Sequence, residues 1–227
     1  MHFLILALIL LAVVFGPGLW VKHVMRRYSE PADRYPGTGA ELVRHLAERL
    51  RLDAVTVERT EQGDHYDPQS KTVRLTSGNF EGRSLTAVTV AAHEMGHALQ
   101  DAEGYGPLRL RSRLVGMMGP AQRVGAGLLM AAPFVGLVTR ALPVGLVFFL
   151  GGLLTLGGAT LVHLVTLPVE FDASFTRALP ILDKGGYLKP EDRPHARRIL
   201  RAAALTYVAG SLLSLLNVAR WWAILRR

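Results

Sequence analysis

His93-Glu94-Met95-Gly96-His97 brings together residue types suited to metal chemistry. On a helix, positions four apart share one face a single turn apart, so both imidazoles can reach one Zn²⁺. Glu94, next to the first of them, then sits beside the metal as a candidate general base. The flanks suit such a helix. Ser84 is a good cap residue, and Leu85-Thr86-Ala87-Val88-Thr89-Val90-Ala91-Ala92 is a lead that calls for burial. A catalytic zinc needs a third protein ligand, and the candidates are Glu170, Asp172, His163, His65 and Glu103. Pro168 is expected to kink or restart its helix and tilt Glu170 inward. A helix start favours a carboxylate for its dipole alone, so the residues by themselves leave the third ligand open.

The elements around these residues divide between water and lipid. The 227 residues suffice for one soluble domain, or for a smaller domain with membrane helices. Phe3 to Val21 and Pro143 to Val169 carry no charge and are long enough to cross a bilayer. Val124 to Thr139 is also uncharged and ends at the short turn Arg140-Ala141-Leu142-Pro143. A fourth apolar stretch, Ala202 to Ala219, stops at Arg220-Trp221-Trp222, where tryptophans suit the headgroup region. The first segment reads as a retained anchor rather than a cleaved signal peptide. It lacks a basic start and a small-residue cleavage site, and Trp20, Lys22, Arg26 and Arg27 follow as an interfacial stop.

Lys and Arg number 26 against 18 acids, a net charge of +8. All but Arg140, Arg220, Arg226 and Arg227 fall in the loops 22–123 and 177–201, which the positive-inside rule assigns to the cytoplasmic face. That topology accounts for Arg197, Arg198 and Arg201, and nucleic-acid binding is not needed to explain the charge. The absence of cysteine removes disulfides and thiolate ligands. Within 22–123, Thr38-Gly39-Ala40-Glu41 is a capping box opening an amphipathic helix to about Leu50. Residues 55–58 and 72–76 alternate as strands, with turn chemistry at Asp67-Pro68-Gln69-Ser70-Lys71. The fold class expected is α+β and mostly helical, a small zinc-peptidase domain combined with about four transmembrane helices. Its parts are an anchor at 1–22, a cytosolic domain at 23–123, two membrane helices at 124–169, a cytosolic segment at 170–201 and a C-terminal membrane helix at 202–227.

Several separate motifs carry a resemblance. His-Glu-Met-Gly-His-Ala-Leu-Gln at 93–100, Asp-His-Tyr-Asp-Pro at 64–68, Lys-Thr-Val-Arg-Leu at 71–75, Glu-Gly-Tyr at 103–105 and Leu-Pro-Val-Glu-Phe-Asp-Ala-Ser at 167–174 are similar to the neutral zinc metallopeptidases of bacterial membranes, the YugP-like family. The resemblance implies a gluzincin-like, membrane-bound peptidase with His93, His97 and Glu170 as zinc ligands. Glu-x-x-Ala at 170–173 is also similar to the third-ligand motif of the heat-shock membrane proteases and prenyl-protein endopeptidases. Those families usually carry Asp where this chain has Ser174, a departure that bears on what holds the histidines.

With that ligand set the expected chemistry is metal-assisted hydrolysis of a peptide or protein substrate near the cytoplasmic membrane surface, with Glu94 moving the proton. His65 or Tyr66 would help stabilise the oxyanion if the 64–76 hairpin overhangs the site. His163, two turns before Glu170, would line a path from the bilayer or pack by hydrogen bonding. Strand 72–76 is expected to pair with an extended substrate. The alternative from another class is a catalytically inactive zinc-binding membrane scaffold or assembly factor. An intact Glu94 argues for the enzyme, since a structural site needs no base. The lead into His93 is too short to place the zinc deep in a bilayer.

Overall fold

The computed structural model describes the backbone of residues 2–140 and 142–225, and the side chains of 5, 11–118, 120–121, 123–140, 143–152, 162, 166–206 and 208–210. The elements run α1 (His2–Arg27), α2 (Gly39–Arg49), β1 (Thr56–Thr60), β2 (His65–Asp67), β3 (Thr72–Thr76), α3 (Ser77–Phe80), α4 (Leu85–Ala102), α5 (Gly106–Thr139) and α6 (Leu142–Phe171). After α6 come a π-helical turn at Asp172–Ala178, then α7 (Leu179–Lys184), a short 3₁₀ turn at Pro190–Asp192 and α8 (Arg193–Leu225). This is the expected mostly helical chain with one small sheet.

The chain forms two compact units. One comprises Leu19–Arg109 and Leu167–Thr206, and the other Met1–Gly18, Leu110–Thr166 and Tyr207–Arg227. In the first, α4 is the central element. Every residue from Leu85 to Ala98 is buried, and Gln100 with them, so the apolar lead does what its composition demands. Around it lie Val43 and Leu46 of α2, Val73 and Leu75 of β3, Leu182 of α7, and Ile199 and Leu200 of α8. Both ends of α4 are finished by local chemistry. Ser84 Oγ accepts the Ala87 amide at 3.2 Å. At the other end Gly104, at φ +67, permits the turn in which Tyr105 N donates to Gln100 O and Gly104 N to Asp101 O. The capping box of α2 is present in both directions, Glu41 N to Thr38 Oγ1 at 3.1 Å and Thr38 N to Glu41 Oε2 at 2.8 Å.

The sheet order is β1-β3-β2, with β1 parallel and β2 antiparallel to β3. This corrects one expectation. Strand 72–76 is the central strand, paired with β1 along its whole length and with β2 at Thr72–Arg74, so it offers no full edge to a substrate. A second difference concerns Pro168. The helix does not restart there. It continues to Phe171 and widens into the π turn, where Leu179 N reaches back to Ser174 O.

In the other unit, α5 and α6 approach closely. A Cβ on Gly152 would meet Leu129 Cγ at 2.5 Å and Gly125 O at 2.7 Å. That close approach is one that only a small residue permits. Among the described residues, α5 is one helix long and apolar enough to cross a membrane, and Pro143–Gly152 is a shorter apolar stretch. Met117, Val124, Met130, Phe134, Leu137 and Val138 of α5 are exposed. The expected spans 3–21, 143–169 and 202–219 run over residues whose side chains lie outside the described set.

Candidate metal centre

Two elements build the site. α4 presents His93 and His97 one turn apart, their ring centroids 4.8 Å from each other and their planes at 77°. The end of α6 presents Glu170. His93 Nε2 and His97 Nε2 both lie 3.2 Å from Glu170 Oε2, and all three residues are buried. The elements come this close because of Gly96. A Cβ there would stand 2.5 Å from Ala173 O and 3.1 Å from Ala173 C, so any side chain would push the π turn, and Glu170 with it, off α4.

Hydrogen bonds behind the rings decide which way the nitrogens face. Gln100 Nε2 donates to Val169 O at 2.8 Å and to Asp172 Oδ2 at 2.7 Å. Its Oε1 is therefore the acceptor toward His97 Nδ1, at 2.9 Å. Ser174 Oγ donates to Leu200 O at 3.2 Å and accepts from His93 Nδ1 at 3.0 Å. Each imidazole thus carries a proton on Nδ1 and turns Nε2 toward Glu170. Ser174 takes up the place in which related motifs carry an acid, and here the acceptor for His93 is a neutral hydroxyl.

Two nitrogen lone pairs and a carboxylate oxygen converging in a buried space repel one another unless positive charge lies among them. A divalent ion supplies that charge in one step. The three ligand atoms lie within 4.8 Å of one another. Zinc bonds of about 2.0–2.1 Å in a tetrahedron imply edges of about 3.3 Å, close to the two 3.2 Å separations. Two imidazole nitrogens and one carboxylate oxygen also form a donor set that zinc favours.

The remaining candidates fall elsewhere. Asp172 does not join the cluster. It accepts from Gln100 and from Arg177 Nε at 2.7 Å, and although burial raises its pKa, these bonds bring it below the usual value. Glu103 accepts from Arg177 at 2.7 Å. Tyr66 donates its hydroxyl to Asp101 Oδ2 at 2.8 Å, and burial, then that bond, raises its pKa above the ordinary phenol value. His65 Nδ1 pairs with Gly63 O at 2.8 Å. Glu94 is buried on α4 beside His93. The His163 side chain lies outside the described residues. Gly96, Gln100 and Arg177 went unnoticed in the residue types alone. Gln100 carried a signal, since i, i+3 from His97 puts it on the same helix face.

The chain belongs to the family described as "Putative neutral zinc metallopeptidase", which it matches over residues 3–226. It is 36% identical over 223 residues to "Putative membrane protease YugP" of Bacillus subtilis (strain 168), covering 97% of this chain and 95% of that protein. No solved structure matches it. Zinc is accordingly the cofactor of the family, and the buried His93, His97 and Glu170 cluster is a possible site for it.

Proposed function

We propose that the protein is a membrane-embedded zinc endopeptidase in which His93, His97 and Glu170 hold the ion and Glu94 is the general base. The observation that carries this reading is the convergence of the two Nε2 atoms and Glu170 Oε2, with both Nδ1 protons committed to neutral acceptors. Zinc, when bound, supplies Lewis acidity that activates water and polarises a carbonyl. The chain's own residues do the rest. Glu94 accepts the proton of the attacking water as its oxygen bonds to the scissile carbon, and returns it to the amine nitrogen as the C–N bond breaks. The buried α4 holds the two histidine ligands and the base on one rigid element, and its apolar surroundings exclude bulk water. His65 on β2 is the candidate oxyanion donor, Tyr66 being committed to Asp101. β1 and β2 are the edge strands of the sheet, and of the two it is β2, which carries His65, whose second edge would take an extended substrate.

The membrane part of the reading rests on the uncharged stretches and the exposed apolar residues of α5. In it, 1–22 is an anchor, 124–169 two spans and 202–227 a fourth, with 23–123 and 170–201 on the cytoplasmic side. The fourth region's Trp221-Trp222 and flanking arginines favour an end in the headgroup layer.

Metal analysis of purified protein alongside peptide cleavage is the test. Wild type should bind zinc and hydrolyse. His93→Ala, His97→Ala and Glu170→Ala should each lose the metal, and Glu94→Gln should keep it and lose hydrolysis. Zinc retained without hydrolysis in wild type would point to a metal-binding scaffold, and full occupancy in Glu170→Ala would remove that residue from the ligand set.

A further inference from the structure

The Gln100 amide sits where three things meet, and its orientation is not free. Both protons on Nε2 are spent, one on Val169 O at 2.8 Å and one on Asp172 Oδ2 at 2.7 Å. A reversed amide would set its oxygen against a carbonyl and a carboxylate, two acceptors with nothing to donate. Oε1 must therefore face His97 Nδ1, which must carry the proton of that 2.9 Å bond. Gln100 is fully buried, so water cannot stand in for any of the three partners.

The partner on the far side is fixed in turn. Asp172 Oδ2 accepts from Arg177 Nε at 2.7 Å, and the same guanidinium donates to Glu103 at 2.7 Å. Glu103 is the residue that closes α4, three positions after Gln100. The chain of bonds thus leaves α4 at Gln100, crosses the π turn through Asp172 and Arg177, and returns to α4 at Glu103. The contacts to Val169 O and Asp172 bracket Glu170 in sequence, so the amide that orients one ligand also grips the segment bearing another.

We infer that Gln100 is a positioning residue for the metal centre, holding His97 as the Nδ1–H tautomer with Nε2 free for the ion and locking the Glu170 segment to α4 through the same amide. The inference rests on the metal-site reading, but it concerns the metal-free protein as well. Orientation of a ligand histidine by a hydrogen bond to its other nitrogen is a general device whose loss costs roughly 10- to 100-fold in metal affinity. Here the acceptor is an uncharged amide, so it orients His97 without adding negative charge behind the ring.

The experiment uses the full chain in detergent, ¹⁵N-labelled at histidine and stripped of metal, at about pH 8, above the ordinary histidine value of about 6.5. His97 signals are identified by their disappearance in His97→Asn, and zinc affinity is measured by competition with a chelator. Wild type should show His97 protonated at Nδ1 and bare at Nε2. Gln100→Leu should populate both tautomers and weaken zinc roughly 10- to 100-fold. Gln100→Glu keeps an acceptor for His97 but faces the Asp172 carboxylate with no donor, so it should also weaken zinc. If Gln100→Leu fails to fold, the wild-type spectrum and the zinc affinity of Gln100→Glu still decide. An Nε2–H tautomer in wild type, or zinc affinity within about twofold of wild type in either variant, would overturn the inference. Wild type that binds no zinc would overturn the metal-site reading instead, leaving the tautomer to be judged from the metal-free spectrum.

Discussion

Glu170 is brought up to His93 and His97 by what Gly96 lacks. By helix propensity alone, Gly96→Ala should stabilise α4 by about 1 kcal/mol. The added Cβ, however, would lie 2.5 Å from Ala173 O, an atom of the backbone that cannot rotate away. Overpacking of this kind costs about 1–3 kcal/mol, so a net loss of stability is expected, seen as a lower thermal midpoint, together with weaker zinc binding. An unchanged or raised midpoint would mean that the π turn yields without cost. Ser174→Ala makes a separate case. It removes the acceptor for His93 Nδ1 without adding volume, so zinc should weaken roughly 10- to 100-fold by chelator competition with little change of fold. At this scale the sequence was most legible where a residue's role depends on its own helix. His93, Glu94 and His97 are a matter of spacing along one element. Glu170 and Ser174 needed knowledge of what packs on α4, and composition carries none of that. Gly96 acts through a carbonyl 77 residues away, so only the packed structure reveals it.

Among the elements, the segment between α1 and α2 is pinned to the start of α8 by a buried carboxylate. Arg34 donates to both Asp192 oxygens, at 2.5 and 2.6 Å, and the Tyr35 hydroxyl donates to Oδ2 at 2.6 Å. Asp192 is 2% exposed. Burial raises its pKa, but the bonds from Arg34 and Tyr35 prevail and hold it below the ordinary carboxylate value. A folded-state pKa below the unfolded value of about 3.9 means that the stabilisation is complete above that pH and is lost as pH falls through the lowered value. Arg34→Gln should therefore be markedly less stable than wild type at neutral pH, and the gap should narrow on acidification below about pH 4. Thermal midpoints across that range test it, and a gap that stays constant or widens in acid would refute the assignment. This clamp was invisible beforehand because its partners lie 158 residues apart. The capping box at Thr38 was legible because every atom involved lies within a few residues. The central position of β3 was not, since alternation identifies a strand but says nothing about its neighbours.

For the whole molecule, the uncharged stretches and the basic loops lead to a topology that labelling can test. Ser70 and Lys184 are exposed, and cysteines placed there should both react from the cytoplasmic side, with one at the exposed Thr139 reacting from the other. Ser174 is unsuitable for the purpose because it is buried against His93. Opposite labelling of Ser70 and Lys184 would exclude the topology, because the segments carrying them share one core with the metal centre.

If that topology holds, the place of cleavage follows from the chain's continuity. Glu170 comes directly after an uncharged stretch long enough to span a bilayer, so the zinc should lie at the boundary between membrane and cytosol. Arg109 precedes the apolar part of α5, and Arg111 and Arg113 follow it within the first turns of that helix. Near an anionic surface each such cation contributes about 1 kcal/mol of attraction, enough together to keep the catalytic unit against the headgroups. Substrates should then be juxtamembrane segments, or peptides that partition to the surface, entering extended along the free edge of β2. One cleavage sequence displayed at increasing distances from a membrane anchor, in vesicles containing anionic lipid, measures this directly. Cleavage should be efficient when the bond lies near the surface and fall as the spacer lengthens, and raising the salt concentration should weaken it by screening the arginines. Equal cleavage at every distance, or equal cleavage of a free soluble protein, would show that the membrane only tethers the enzyme and has no part in choosing its substrates.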